Sequence, residues 1–235
     1  MTGESDWDYI EWLADARSLV GWTSQKPQDE RCMIFLRHSH REMILDHSSQ
    51  FSTGLTEIGK QMAYEMGRRL PAGRPIRTFF SFVPRCHETA QQLTEGIRDS
   101  GGEVVEFESI AILVMPEFSD EAVWEHLQPD GKNVAEFVNR WAEGEFGEMI
   151  ESWSEYEARL METTLQRLKK DRGPVVHIYV THDLAVMAMK RILLKRTLDN
   201  EDRESFLGGI CVCIEEKGDM LLYNSGHETE LSAND

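Results

Sequence analysis

Two histidines fall where the sequence also gathers arginines. One lies in Leu36-Arg37-His38-Ser39-His40-Arg41, directly after the apolar run Cys32–Leu36. The other lies in Val180-Thr181-His182-Asp183, directly after the run Val175–Val180. A third segment, Ser81-Phe82-Val83-Pro84-Arg85-Cys86-His87-Glu88-Thr89-Ala90, puts a cation where a helix should begin. A neutral imidazole is a nucleophile, and guanidinium groups hold phosphoryl oxygens through charge-assisted hydrogen bonds. Arg85 in a first helical turn opposes the macrodipole at a cost of about 0.3–1 kcal/mol, which Glu88 offsets in part. A bound dianion reverses that sign, using the arginine and the helix N-terminus together. Any one segment has a bland reading as a solvated loop; three on strand ends or helix starts point to anion chemistry.

The elements that position these residues follow from pattern. Cys32–Leu36 and Val175–Val180 read as buried parallel strands. Thr78–Phe82 and Val104–Phe107 read as two more. Thr56–Leu70 has helical spacing (Ile58, Met62, Met66, Leu70), a small-residue face (Gly59, Ala63, Gly67), Thr56 as N-cap and Pro71 as stop. Helices are also expected over 85–98, 154–172 and 183–196. Gly209–Ile214 and Met220–Tyr223 pair around Lys217-Gly218-Asp219 as a closing hairpin. Strands alternating with helices predict a three-layer α/β/α sandwich with a mainly parallel central sheet, interrupted by a helical insertion at about 109–152. In such sheets ligands sit outside the carboxyl ends of the strands, where His38 and His182 fall. Residues 1–30 form an extension and linker ahead of the 31–235 body, with Trp7, Ile10, Leu13 and Ala14 spaced as a short amphipathic helix that docks on it.

Four ordered pieces, LRHSHR at 36–41, LTEIGKQMAYEMGRRL at 55–70, SFVPRCHETA at 81–90 and THDLAVMA at 181–188, resemble the histidine phosphatase superfamily, the fold shared by phosphoglycerate mutases and histidine acid phosphatases. The resemblance spans about 31–225. It implies that His38 attacks phosphorus to form a phosphohistidine, that Arg37, Arg85 and Arg41 clamp the phosphoryl oxygens, and that His182 donates to them. It leaves the proton donor between Asp183, which also suits a helix N-cap, and Glu117, with Asp120 a further carboxylate of the insertion. It implies no metal and no other cofactor. Two departures stand out: Ser39 replaces the usual glycine after the Arg-His pair, and Glu42–Ser49 lacks the asparagine of the mutases. A phosphatase is therefore expected rather than a mutase. His40 is expected to line the pocket edge or point away, and His47 and His87 to lie at the surface or rim.

Composition bounds the partners. Twenty-five Lys+Arg against 42 Asp+Glu give a formal charge of −17 over 235 residues, which excludes a general nucleic-acid or anionic-membrane binder. Hydrophobic content of 40% excludes a disordered acidic tail. The acidic insertion (Glu117, Asp120, Glu121, Glu125), where substrate-choosing elements are expected, favours a phosphomonoester with a neutral or cationic body over a polyphosphorylated ligand, and the partner expected is a small phosphorylated substrate or a phosphoprotein. Trp124 and Trp141 of that insertion read as core. Four cysteines, without metal spacing and too few for a disulfide scaffold, and an acidic N-terminus unlike a signal peptide predict a soluble protein of a reducing cytoplasm. Two other readings compete. A metal-dependent hydrolase could use His38 and His40 with Asp46, His47, His182 and Asp183 as ligands, although the adjacent arginines would repel a cation. A non-catalytic protein could use the same pocket to recognise a phosphorylated ligand.

Overall fold

The run bounded by Arg31 and Arg37 forms strand β1 (Arg31–Arg37), buried from Cys32 onward because both faces of the sheet are covered. The computed structural model describes residues 6–44, 50–128, 131–215 and 218–231. Asp46, His47, the Pro129-Asp130 turn and Lys217 therefore lie outside the described residues. Strands β2 (Ile76–Phe80), β3 (Val104–Ser109), β4 (Val175–Thr181), β5 (Gly209–Ile214), β6 (Met220–Asn224) and β7 (His227–Leu231) join β1 in one sheet of order β3-β2-β4-β1-β5-β6-β7. The block β3-β2-β4-β1 is parallel; β5, β6 and β7 extend it antiparallel.

Alternate residues of β1 enter two cores. Met33 and Phe35 face a layer built by α5 (Val134–Ala142), α6 (Trp153–Thr163), α7 (Leu165–Lys170) and α8 (Asp183–Leu194). Cys32, Ile34 and Leu36 face α2 (Ala14–Thr23), α3 (Glu57–Arg69) and α4 (Pro84–Asp99), with α1 (Asp6–Tyr9) and a 3₁₀ turn at Glu11–Leu13 leading in. This is the three-layer sandwich expected. The N-terminal segment is part of the second core, burying Trp7, Leu13, Ala16, Leu19 and Val20. Thr56 caps α3, accepting from Gly59 N. The small-residue face of α3 meets α4: a Cβ on Gly67 would lie 2.1 Å from Leu93 O, and one on Gly96 2.1 Å from Tyr64 O.

The insertion is helical in short pieces: 3₁₀ turns at Ala111–Leu113, Glu121–Leu127 and Gly147–Met149, and helix α5. Trp141 is fully buried and Trp124, partly buried, packs against the same core.

Four local expectations need correction. The second strand is Ile76–Phe80, two residues earlier than the aromatic run suggested, and Phe82 is exposed. The helix expected over 154–172 is broken into α6 and α7 at Thr164 (φ −113, ψ −88). There Thr163 and Thr164 hydroxyls bond back to Arg159 O and Leu160 O, and Tyr179 Oη donates to Thr163 O. Beyond the expected hairpin, β7 follows a two-residue turn with positive φ at Ser225 and Gly226. Lastly, Cys32 and Cys213, directly opposed on β1 and β5, form a disulfide, against the reducing setting inferred from the cysteine count. Among the described residues no helix is long and apolar enough to cross a membrane.

Candidate active site

The carboxyl ends of β1, β4 and β2 lie side by side and are stitched together just past their last pairs. His38 N donates to Thr181 O at 2.8 Å, and Ser81 N to Val180 O at 3.0 Å. This brings the three chemistry-bearing segments onto one rim. Arg37, His38, Arg85 and His182 are all buried there.

The environment of His38 fixes its tautomer. Nδ1 lies 2.8 Å from Ser39 O, an atom that can only accept, so Nδ1 carries the hydrogen. Nε2 receives the Nε–H of Arg85 at 3.2 Å and so presents a lone pair. Burial, then the charges of Arg85, His182 and Arg37, hold the imidazole well below its ordinary pKa, and it is neutral. Ser39 fits where a glycine is usual because its side chain is used: Oγ donates to Gly59 O, while its N–H donates to Thr89 Oγ1. Thr89 in turn donates to Arg85 O, so one hydroxyl ties the nucleophile loop to the cation.

Arg85 also reaches His182 and the preceding loop. Its Nη2 donates to His182 Nδ1 at 3.0 Å and its Nη1 to Gln50 O at 2.5 Å. With Nδ1 accepting, the His182 hydrogen sits on Nε2, 3.0 Å from Ser81 Oγ. A hydroxyl can accept or donate, so Ser81 permits the opposite tautomer when an anion replaces Arg85 at Nδ1. Burial first, then Arg85, takes His182 down to about 3.

Arg37 is held by three partners: Nη1 donates to Glu204 O at 2.8 Å, Nη2 lies 3.4 Å from Asp183 Oδ2, and the guanidinium carbon sits 4.5 Å over the Phe206 ring. Asp183 also accepts from Arg203 Nη2 at 2.6 Å. Burial would raise its pKa, but Arg37 and Arg203 outweigh burial and hold the carboxylate at about 2. Asp183 thus stands ionised on the rim. Arg41 donates to Glu42 O, and its charge is felt at Arg85 and His182.

The remaining sequence candidates lie elsewhere. Glu117 is 79% exposed and bonded to Arg159 at 2.9 Å, not turned into the pocket. Asp120 caps the following turn, accepting from Ala122 N. Glu88 accepts from Leu55 N. His40 lines the edge, its Nδ1 bonded to Thr56 Oγ1 and its ring stacked on Trp12; His87 is exposed beside Phe80. Among the described residues, no group of three potential metal-ligating atoms includes His38 or His40. Among the same residues, the cysteines that gather within the sheet are the Cys32–Cys213 disulfide and the neighbouring free thiol of Cys211.

Sequence reasoning passed over Arg203, Glu204, Phe206, Thr89 and Trp12. Arg203 and Glu204 work from a loop of no regular pattern, and Trp12 read only as part of a docking helix. The one available signal was charge: Lys190 follows the apolar run Leu184–Met189 on α8. Fully buried, it donates to Glu204 Oε1 and Asp202 O, and so pins the loop that holds Arg37.

The model of the histidine phosphatase superfamily (branch 1) matches residues 33–218. The chain belongs to this superfamily. Membership carries phosphatase- or mutase-type chemistry on phosphate esters. Solved structures agree on the fold. YhfR of Bacillus stearothermophilus is 20% identical, with a TM-score of 0.55 over 87% of this chain and 99% of that one. A mutant phosphoserine phosphatase from Entamoeba histolytica, in complex with phosphoserine, is 19% identical, with a TM-score of 0.50 over 86% and 95%. Mycobacterial hydrolase 2 is 16% identical, with a TM-score of 0.51 over 86% and 89%. No curated protein sequence matches.

Proposed function

We propose that this superfamily member is a metal-independent phosphomonoester hydrolase that works through a phosphohistidine on His38. The observation that carries the reading is the forced tautomer: a buried, neutral imidazole whose Nε2 lone pair is held by Arg85, the arginine that also donates to His182. A phosphoryl dianion entering there takes the hydrogen bonds Arg85 now spends on the two histidines, each charge-assisted bond being worth about 1.5–3 kcal/mol. His38 Nε2 attacks phosphorus and the ester oxygen leaves. Water then attacks the phosphohistidine, and the bond to Nε2 breaks. Arg37, Arg85, Arg41 and His182 stabilise the charge on the equatorial oxygens in both steps.

Asp183 is the proton-handling group of this proposal. In the first step it relays a proton from solvent to the leaving alkoxide, and in the second, again a carboxylate, it takes the proton of the attacking water and releases it to solvent. Glu117 could replace it only by leaving Arg159. The hydrolase assignment over the mutase one rests on the missing asparagine between Glu42 and Ser49. The substrate class is small phosphomonoesters or phosphoproteins, with no nucleic-acid or membrane partner.

Rapid quench with a ³²P-labelled phosphomonoester tests this directly. An acid-labile phosphoprotein that forms and decays at the turnover rate is expected. Its absence, with tight phosphate binding retained, would mean a phospho-ligand binding protein. Loss of activity on EDTA treatment with recovery in Zn²⁺ or Mn²⁺ would mean a metal-dependent hydrolase.

A further inference from the structure

Arg203 stands on a loop that is fixed on both sides of it. Before it, Asp202 is paired with Arg196 at 2.6 Å, and the Asp202 carbonyl accepts from the buried Lys190. After it, Glu204 is bonded to the same lysine, and Ser205 N donates to Asp15 Oδ2 at 2.9 Å. So braced, Arg203 Nη2 donates to Asp183 Oδ2 at 2.6 Å. Arg37 Nη2 approaches that same oxygen from β1, at 3.4 Å. The other oxygen, Oδ1, accepts from Leu184 N at the start of α8. Gly131 of the insertion packs against the pair: a Cβ there would lie 3.2 Å from Asp183 Oδ2 and 3.3 Å from Arg203 Nη2.

Substrate changes the position of the two cations unequally. In the mechanism proposed above, Arg37 gives its charge to the phosphoryl oxygens. The dianion thus brings negative charge toward Asp183 while drawing one of its two partners away. We propose that Arg203 is a positioning residue of the reaction, holding the Asp183 carboxyl group in place through both half-reactions while the phosphoryl group engages Arg37; this rests on the phosphatase reading above. Because its charge favours the carboxylate, Arg203 also sets the pH below which Asp183 stops acting as a base. The other charged or titratable groups around Asp183 are His182, next to it in the chain, and Arg85 and Cys86 of α4. The insertion adds Gly131, which carries no charge.

In the first half-reaction the His38 Nε2 lone pair forms the N–P bond. The P–O(ester) bond breaks with its electron pair on the ester oxygen, which takes the proton that Asp183 relays from solvent. In the second, water oxygen forms a P–O bond and the N–P pair returns to Nε2. The water proton passes to the Asp183 carboxylate and from there to solvent. Arg203 serves both halves. Its bond keeps the carboxyl group on the rim, and its charge makes Asp183 a ready donor first and restores the carboxylate before water attacks.

The test loads the full chain with ³²P-labelled 4-nitrophenyl phosphate, a probe whose leaving group needs no proton. Hydrolysis of the phosphohistidine is then followed by rapid quench from pH 8 to 4.5, so the profile reports the second half-reaction. Rates are scaled to the burst of nitrophenol, and a partly folded variant still reports. Arg203→Gln should raise the pH at which hydrolysis begins to fall by about 1–3, the effect of one arginine on a neighbouring aspartate. Its plateau should drop about 10–100-fold because the base is misplaced. Arg203→Lys should return the limb to its wild-type pH while recovering the plateau only in part. With Asp183→Asn already present, Arg203→Gln should cost less than about threefold, because the two residues act as one. An Arg203→Gln profile equal to wild type, one lowered evenly at every pH, or a full added loss on Asp183→Asn would overturn the positioning role and leave the phosphatase standing. No phosphohistidine in the wild-type chain would overturn the parent reading instead.

Discussion

Arg85 donates through Nε to Nε2 of His38 at 3.2 Å, so in the proposed mechanism the arginine that clamps the phosphoryl group also covers the attacking lone pair until substrate arrives. Lysine cannot reproduce this, because Arg85 spends Nε on His38, Nη2 on His182 and Nη1 on Gln50 O. Arg85→Lys should therefore lose nearly as much kcat/KM as Arg85→Ala, on the order of 10²-fold or more. His38→Ala should abolish the phosphoenzyme while circular dichroism and phosphate binding persist. Steady-state kinetics and phosphate calorimetry on the three variants check the pattern.

Asp183→Asn keeps a side chain that bonds Arg203 but removes the base. Turnover should fall by about 10²–10⁴, and the loss should fall on the second step, so phosphohistidine accumulates to near one per chain in rapid quench. Near wild-type turnover would remove Asp183 from the mechanism.

Glu117→Gln should be close to silent. Its partner Arg159 retains Glu151 at 2.5 Å, and an exposed pair contributes about 0–1 kcal/mol. A large loss of kcat with an unchanged melting temperature would show that Glu117 leaves Arg159 during the reaction and supplies the proton.

The histidines make stability depend on pH in a definite direction. His182 titrates at about 3 when folded and His177, buried against Asp171, at about 4, against about 6.5 unfolded. His38 shifts the same way. Between these values the unfolded chain binds more protons, so stability falls as pH drops below about 6.5. Each group contributes up to about 1.4 kcal/mol per pH unit. Asp183, at about 2 when folded, adds a further loss below about pH 4. Urea titrations from pH 7.5 to 4.5 should show this slope, and saturating phosphate should flatten it by favouring the protonated histidines.

Gly59→Ala should damage the site from behind. A Cβ there would lie 2.2 Å from His40 O, and backbone must move to admit it. A stability loss of about 1–3 kcal/mol is expected, with a fall in kcat because Ser39 Oγ is bonded to Gly59 O. Denaturant midpoints and kcat on one preparation separate the two effects.

How much was readable in the sequence depended on whether the signal was local. β1 and β4 were legible because burial on both faces leaves an unbroken apolar run, and Thr56 announced α3 because capping is a property of neighbours. His38, His182, Arg37 and Arg85 were legible from their place after strands and before a helix. β2 was misplaced because Phe79, Phe80 and Phe82 look alike in sequence, although Phe82 faces water. β7 was invisible: its His227–Leu231 run is polar, as suits an edge strand with only Leu231 buried. The break at Thr164 was masked by apolar spacing that continues through it. The Arg203–Asp183 pair and the Cys32–Cys213 bond depend on register and loop path, which pattern does not encode.

That bond has a topological meaning. Residues 32–213 form a closed covalent ring, and Arg37, His38, Arg41, Arg85, His182, Asp183, Arg203 and Phe206 all lie on it. A protease cut at a single place in the ring would leave the catalytic set on one molecule, migrating as two fragments only after reduction. The segment before Cys32 hangs on the open tail, so a cut there would free Trp7, Leu13, Ala16, Leu19 and Val20 from the second core while the ring itself stays closed.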